Sequence, residues 1–282
     1  MSRALKRIII FAVNFPANHL SEKVYVRYIM LLSRVYGFIK PPYLSAYSSF
    51  YLSDSPNVIL HKVNYGKTTI TFQSGFRINR FLKGFNNAGK ALWHRYRIEE
   101  LTSGELPSAI LDVGANIGEF SLYANEKFRG AVKILAIEPD PVARACLRKN
   151  LGTSEVLTEE VGVSSDSSIK EFFMKTSSAD SSLHAPIGNS TKTHIQLKRL
   201  DQLIADHSLV GPILIKMDTE GHEPEALLGA SGAIKHIKWI SVDTGPERSG
   251  RRTTEQVIKV LSEYGFDQIQ IFNSDILTAK RR

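Results

Sequence analysis

From Pro107 onward the chain alternates short apolar runs with helix-patterned stretches, and few folds accommodate that alternation. It is the pattern of strands joined by crossover helices around a parallel sheet. Ala109 to Val113 reads as a buried strand, Ile117 to Lys127 as a helix, Val132 to Ile137 as a strand and Pro141 to Leu151 as a helix. Val156 to Val163 is a further strand candidate, and Ile169 to Met174 and His194 to Leu197 look like strands flanking a Ser-rich loop over 176–193. Ile213 to Met217, Trp239 to Val242 and Gln268 to Phe272 complete the strands, with helices at Pro224 to Ile234 and Thr253 to Tyr264. The expected fold class is α/β: a doubly wound sheet with helices on both faces, over residues 108–282.

The first 107 residues read differently. Leu20 to Lys40 has the period of a helix, with Val24, Tyr28, Leu31, Leu32 and Val35 on one stripe, Arg27 and Arg34 elsewhere, and Pro41 and Pro42 ending it. Val58 to Val63 and Thr68 to Phe72 are β-prone runs around an Asn64-Tyr65-Gly66 turn, and a helix is expected from about Lys90 to Leu101. The net charge of +8 divides unevenly. Residues 1–107 hold 15 Lys+Arg against 5 Asp+Glu, whereas residues 108–282 hold 21 against 23. The expectation is a basic helical/β N-terminal appendage, serving as an acceptor-side or docking segment. A basic helix with an apolar stripe suits peripheral contact with an anionic membrane, or docks on its own domain.

No apolar stretch approaches the roughly 20 residues of a membrane-spanning helix. Ile8 to Val13, after Arg3, Lys6 and Arg7, resembles the start of a signal peptide, but Asn14 and Pro16 cut it short. Cys146 is the single cysteine, which excludes an internal disulfide framework, and no CxxC or Cys/His cluster is present to hold zinc. A reduced, cytoplasmic protein that needs no metal to fold is expected.

The run most informative for chemistry is Asp112-Val113-Gly114-Ala115-Asn116-Ile117-Gly118, directly after an apolar strand and opening a helix. Glycines at such a turn let backbone N–H groups approach a ligand, beside a helix N-terminus. The Gly-x-x-x-Gly spacing departs from the Gly-x-Gly-x-x-Gly of dinucleotide binders. Glu138, 24 residues past Gly114 at the next strand's tip, is placed to accept both hydroxyls of a ribose. An acid before the turn plus an acid for the ribose favours S-adenosylmethionine, a cation, over a pyrophosphate cofactor.

ILDVGANIGEFSLYA, AIEPDP with Leu147 and Asn150 downstream, and IKMDTEGHEPEALLGA together resemble the successive blocks of the FkbM family of S-adenosylmethionine-dependent methyltransferases. The resemblance covers about residues 76–272, and the third block is the most discriminating. It implies a Rossmann-like seven-stranded sheet and methyl transfer to a hydroxyl, commonly of a sugar, glycan or polyketide. It also implies that the methionine moiety lies by Asp112, Gly114, Asn116 and Gly118, the ribose on Glu138, and the adenine around Glu160 to Val163.

Methyl transfer to an alcohol needs a base for the hydroxyl proton and an acceptor held in line. Asp218, Glu220 and His222 are candidate bases or orienting groups, and Lys216 is placed to polarise or position the acceptor. Glu223 and Glu225 also suit a helix N-terminus irrespective of catalysis, and His222 is equally readable as a surface turn residue. Asp218 and Asp243, at adjacent strand tips, resemble the metal-binding acids of catechol-type methyltransferases, although no third ligand is defined. The expected partner is a small-molecule or glycan acceptor with a free hydroxyl. Two alternatives stand beside it: an RNA methyltransferase using the basic segment, disfavoured by the lack of a base-methylation motif or RNA module, and a non-catalytic nucleoside-binding protein of the same fold.

Overall fold

The computed structural model describes residues 19–39, 42–53, 55–175, 181–185 and 190–282. The signal-like run Ile8 to Val13 and part of the Ser-rich loop lie outside them. The chain divides into two compact units, Met1–Ala88 and Gly89–Arg282.

In the first unit, helix α1 (Glu22–Ile39) precedes an antiparallel sheet of β1 (Leu44–Leu52), β2 (Ser55–Tyr65) and β3 (Thr68–Phe72), ordered as in the sequence. β2 and β3 form the hairpin expected around Gly66, which takes the positive φ such a turn needs. A 3₁₀ turn, Gly75–Phe81, follows. The buried residues are Tyr25, Val26 and Ile29 of α1 with Leu60, Val63, Ile70 and Phe72 of the sheet. The stripe read from the sequence therefore lies on the other side of the helix: Val24, Leu31 and Val35 are about half exposed.

The division between units falls within α2 (Phe85–Arg95), and α3 (Ile98–Thr102) follows, so the expected single helix from Lys90 is two. The main sheet then contains β4 (Ala109–Val113), β5 (Lys133–Ile137), β6 (Leu157–Glu159), β10 (Ile213–Met217), β11 (Ile237–Asp243), β12 (Gln268–Phe272) and β13 (Ile276–Lys280). Its order is β12-β13-β11-β10-β4-β5-β6, the 3-2-1-4-5-7-6 arrangement, and β13 alone runs antiparallel to its neighbours. Every residue of β4 and β10 is buried, as parallel strands covered on both faces require.

The crossover helices are α4 (Glu119–Phe128), α5 (Pro141–Leu151), α6 (Leu200–Asp206), α7 (Glu223–Leu228) and α8 (Thr254–Glu263). One core packs Leu111, Val113, Ile215 and Met217 against Leu203, Leu227 and Val257; the other packs Ile110, Ile134 and Leu214 against Trp93, Phe120 and Leu147. Helices thus cover both faces, giving the Rossmann-like seven-stranded sheet that was expected.

Three details differ from the sequence reading. The strand expected at Val156 to Val163 is interrupted after Glu159, and β7 (Gly162–Val163) joins a small second sheet with β8 (Ile169–Met174) and β9 (Thr191–Lys198), ordered β7-β9-β8. Helix α7 ends at Leu228 and gives way to a 3₁₀ turn over Ser231–His236. Strand β13 and helix α6 had no sequence signal strong enough to predict them.

Candidate active site

β4 and β10 lie side by side in the middle of the sheet, and the chain leaves them toward β5 on one side and β11 on the other. Ligands bind at such a switch point, beyond the carboxyl ends of the strands. The turn after β4 is wrapped onto the tip of β5: the Gly114 and Ala115 N–H groups donate to the Ile137 carbonyl at 2.9 and 3.0 Å, and the Asn116 N–H to Glu138 Oε2 at 2.7 Å. Those amides hold the turn together. Leu147 and Asn150 of α5 brace it from below, Asn150 donating to the Ile117 carbonyl at 2.9 Å. A Cβ at Gly118 would meet Leu147 at 2.7 Å, and one at Gly114 would meet the Asp218 carbonyl at 1.8 Å. The turn after β4 and the turn after β10 are thus in backbone contact that only glycine permits.

Glu138 stands at the mouth of this turn, 6% exposed. Its Oε1 accepts from the Asp140 N–H at 2.8 Å. Burial, reinforced by the Asp140 carboxylate, pushes its carboxyl up to about 7. Each oxygen keeps a lone pair beyond its one backbone N–H, a pair of acceptors that matches the spacing of a vicinal diol. Asp140 caps α5 through the Val142 and Ala143 N–H groups.

Asp112, Lys216 and Ser241 share one register across β4, β10 and β11. The Lys216 ammonium, fully buried, lies 3.1 Å from Asp112 Oδ1 and donates to the Gly114 carbonyl at 2.9 Å. Asp112 also accepts from Ser121 at 2.6 Å. Both charges therefore lie inside the turn after β4, and the Lys216 ammonium is directed at that turn. Tyr96 completes the group: its ring lies 5.2 Å from the Lys216 ammonium and its hydroxyl donates to Asp218 Oδ2 at 2.7 Å. Complete burial and the neighbouring Asp218 and Asp243 hold that phenol well above its usual range, so it is a fixed donor.

On the other side of Asp218 opens a cleft of about 480 Å³, lined by Asp218, Glu220, Asp243 and Glu247 together with Arg95, Lys175, Ser182 and His184. Its size is that of a small-molecule site. Glu223 shapes the loop beneath it, accepting from the Thr219 and Gly221 N–H groups and from the Thr253 hydroxyl. That loop places Glu220 at φ +53° and its side chain at the cleft. Arg95 pairs with Asp243, whose carboxyl is nonetheless raised by burial and by Asp218. Burial and the facing Asp243, Glu223 and Asp218 push Glu247 up to about 7. Its buried Oε2 has no hydrogen-bond partner among the described residues.

Between β8 and β9, two successive serines tie the two sides together. Ser181 donates to Asp140 at 2.5 Å, and Ser182 to the Glu220 carbonyl at 2.8 Å.

The structure thus brings Asp112, Gly114, Asn116, Gly118, Glu138 and Lys216 into one turn, and Asp218 and Glu220 to the adjoining cleft. His222 is placed apart from both. It is 6% exposed, its Nε2 lies 3.1 Å from Ser164 Oγ and its Nδ1 3.4 Å from His184 Nε2. Burial, with His184 and Arg248 nearby, lowers it to about 4, so it is neutral at pH 7. Glu160 directs its carboxylate to Arg144 and Arg148 of α5. Arg95, Ser182 and Glu247 were not proposed as site residues from the sequence, because residues brought together from α2, the β8–β9 connection and the turn after β11 share no local pattern.

The FkbM methyltransferase domain matches residues 112–267, more than half of the chain. Methyltransferase sdnD of Sordaria araneosa is 30% identical over 209 residues, covering 62% of this chain and 78% of that protein. The hexuronic acid methyltransferase AglP of Haloferax volcanii is 26% identical over 147 residues, covering 51% of this chain and 58% of that protein. Among solved structures, the ribosomal protein L11 methylase from Lactobacillus delbrueckii subsp. bulgaricus aligns over 68% of this chain and 79% of its own, at 12% identity and a TM-score of 0.38. The domain match begins at Asp112, the residue paired with Lys216, and spans both turns of the site. The chain belongs to the FkbM family of S-adenosylmethionine-dependent methyltransferases.

Proposed function

We propose that the protein methylates a hydroxyl of a sugar, glycan or similar polyhydroxylated small molecule, bound in the cleft beside Asp218. The observation that carries this reading is the cleft itself: four carboxylates line one small cavity, one of them with a buried oxygen that has no partner among the described residues. Carboxylates accept hydrogen bonds from hydroxyls, and several converging on one site suit an acceptor with several of them. A relative that methylates a hexuronic acid is consistent with this.

When bound, S-adenosylmethionine supplies an electrophilic methyl group on a sulfonium centre. Glu138 would accept hydrogen bonds from the ribose hydroxyls, and the Asp112–Lys216 pair braces the turn that would hold the methionine moiety. Asp218, fixed by Tyr96, and Glu220 orient the acceptor. Glu247, whose proton affinity lies near neutrality, would take the hydroxyl proton on its carboxylate as the acceptor oxygen gains the methyl group and the methyl–sulfur bond breaks. Arg95 and Lys175 give the cleft its positive groups and suit a carboxylate or phosphate on the acceptor.

Incubation with methyl-labelled S-adenosylmethionine and a panel of neutral sugars, uronic acids and RNA tests the reading. O-methylated sugar, located by mass spectrometry, is the expected product; label in RNA alone would sink it.

The same proposal includes a docking role for residues 1–88, which carry 12 Lys+Arg against 2 Asp+Glu. On α1, the exposed Val24, Leu31 and Val35 are flanked by exposed Lys23, Arg27 and Arg34. An apolar stripe bordered by cations matches the surface of an anionic membrane.

A further inference from the structure

His184 sits in the β8–β9 connection, and His222 and Glu225 lie at the start of α7, 38 residues or more further along the chain. Their donor atoms, His184 Nε2, His222 Nδ1 and a Glu225 oxygen, all lie within 4.8 Å of one another. His222 Nδ1 is 3.4 Å from His184 Nε2 and 3.7 Å from Glu225 Oε2. Two ligands of a tetrahedral ion bound at about 2.0–2.1 Å stand roughly 3.3–3.4 Å apart. We propose that His184, His222 and Glu225 form a binding site for a divalent transition cation of the zinc class.

The surroundings are those of a supported site. His222 Nε2 is held by the hydroxyl of Ser164, a residue with no exposure, which leaves Nδ1 facing the other two donors. The His184 ring also hydrogen-bonds the Gly221 backbone. Arg248 donates to Glu225 Oε2 and, through Nε at 2.6 Å, to the Gly221 carbonyl, fixing the carboxylate as a second layer of groups fixes metal ligands. Two imidazoles and a carboxylate favour zinc, nickel or copper over magnesium or calcium. Three protein ligands leave a coordination position open, and His184 lines the acceptor cleft, so the site borders that cleft.

The inference is independent of which hydroxyl is methylated. Its test uses the full-length, tag-free protein, stripped with a chelator and titrated with Zn²⁺ by calorimetry, alongside Co²⁺ absorption spectroscopy. One Zn²⁺ bound per chain at micromolar affinity or better, an intense visible Co²⁺ band, and at least a tenfold loss in both His184→Gln and Glu225→Gln are expected. Circular dichroism and thermal unfolding verify that the variants are folded. Absence of binding to the wild type would leave two imidazoles sharing a proton and would overturn the proposal, as would binding that survives both substitutions.

Discussion

Glu138 and Glu247 are both carboxyls pushed up to about 7, and each predicts a distinct pH dependence. For both, burial is the largest cause; Asp140 adds to it at Glu138, and Asp243, Glu223 and Asp218 add to it at Glu247. If Glu138 binds the ribose as a carboxylate, cofactor affinity measured by calorimetry rises as pH passes through about 7. Below that point it falls by up to about tenfold per pH unit, and Glu138→Gln removes the slope together with most of the affinity. Because the folded value lies above the unfolded one, the contribution of Glu138 to stability without cofactor is fully present below about pH 4.5 and is lost as pH rises through about 7, a loss that Glu138→Gln does not show. Glu247→Gln should lower kcat by about 10²–10⁴-fold with cofactor affinity unchanged. In the wild type kcat rises through about pH 7; a profile identical in the variant would remove Glu247 as base. Glu138 was legible in the sequence because a fixed interval after a glycine turn places it at a strand tip. Glu247 was not: the role proposed for it rests on burial and on Asp243 and Asp218 lining the same cleft, which no linear spacing describes.

At the scale of elements, the site depends on two turns that fit only each other. Gly114→Ala places a methyl 1.8 Å from the Asp218 carbonyl at φ +76°, so the turns must separate. The expected result is a stability loss of about 2 kcal/mol or more, read as a lower Tm, with cofactor binding weakened at least tenfold. Lys216→Met leaves Asp112 buried without its partner and should cost about 3–5 kcal/mol in chemical denaturation. The strand-turn-helix units around these positions were readable because buried parallel strands are almost wholly apolar and Asp140-Pro141 announces a helix start. β13 was not, since Ile276 to Lys280 mixes Thr278, Ala279 and Lys280 into a short run and owes its strand to pairing between β11 and β12. The outward stripe of α1 shows the same limit: period alone identified the stripe but not which side of the helix the sheet would cover.

For the whole molecule, charge and apolar exposure coincide in the first unit, while residues 89–282 carry 24 Lys+Arg against 26 Asp+Glu. Vesicles containing anionic lipid should therefore retain the protein at low salt, and neutral vesicles should not. Binding should weaken as salt shortens the Debye length to about 8 Å at physiological strength, and Leu31→Glu with Val35→Glu should reduce it at least tenfold. No helix among the described residues is long and apolar enough to cross a membrane. The charge division was plain from composition, since it needs no knowledge of folding. The contact between Gly114 and Asp218 has one further outcome. Two loops with no free space between them cannot drift separately, so a change that shifts the turn after β4 carries the turn after β10 with it.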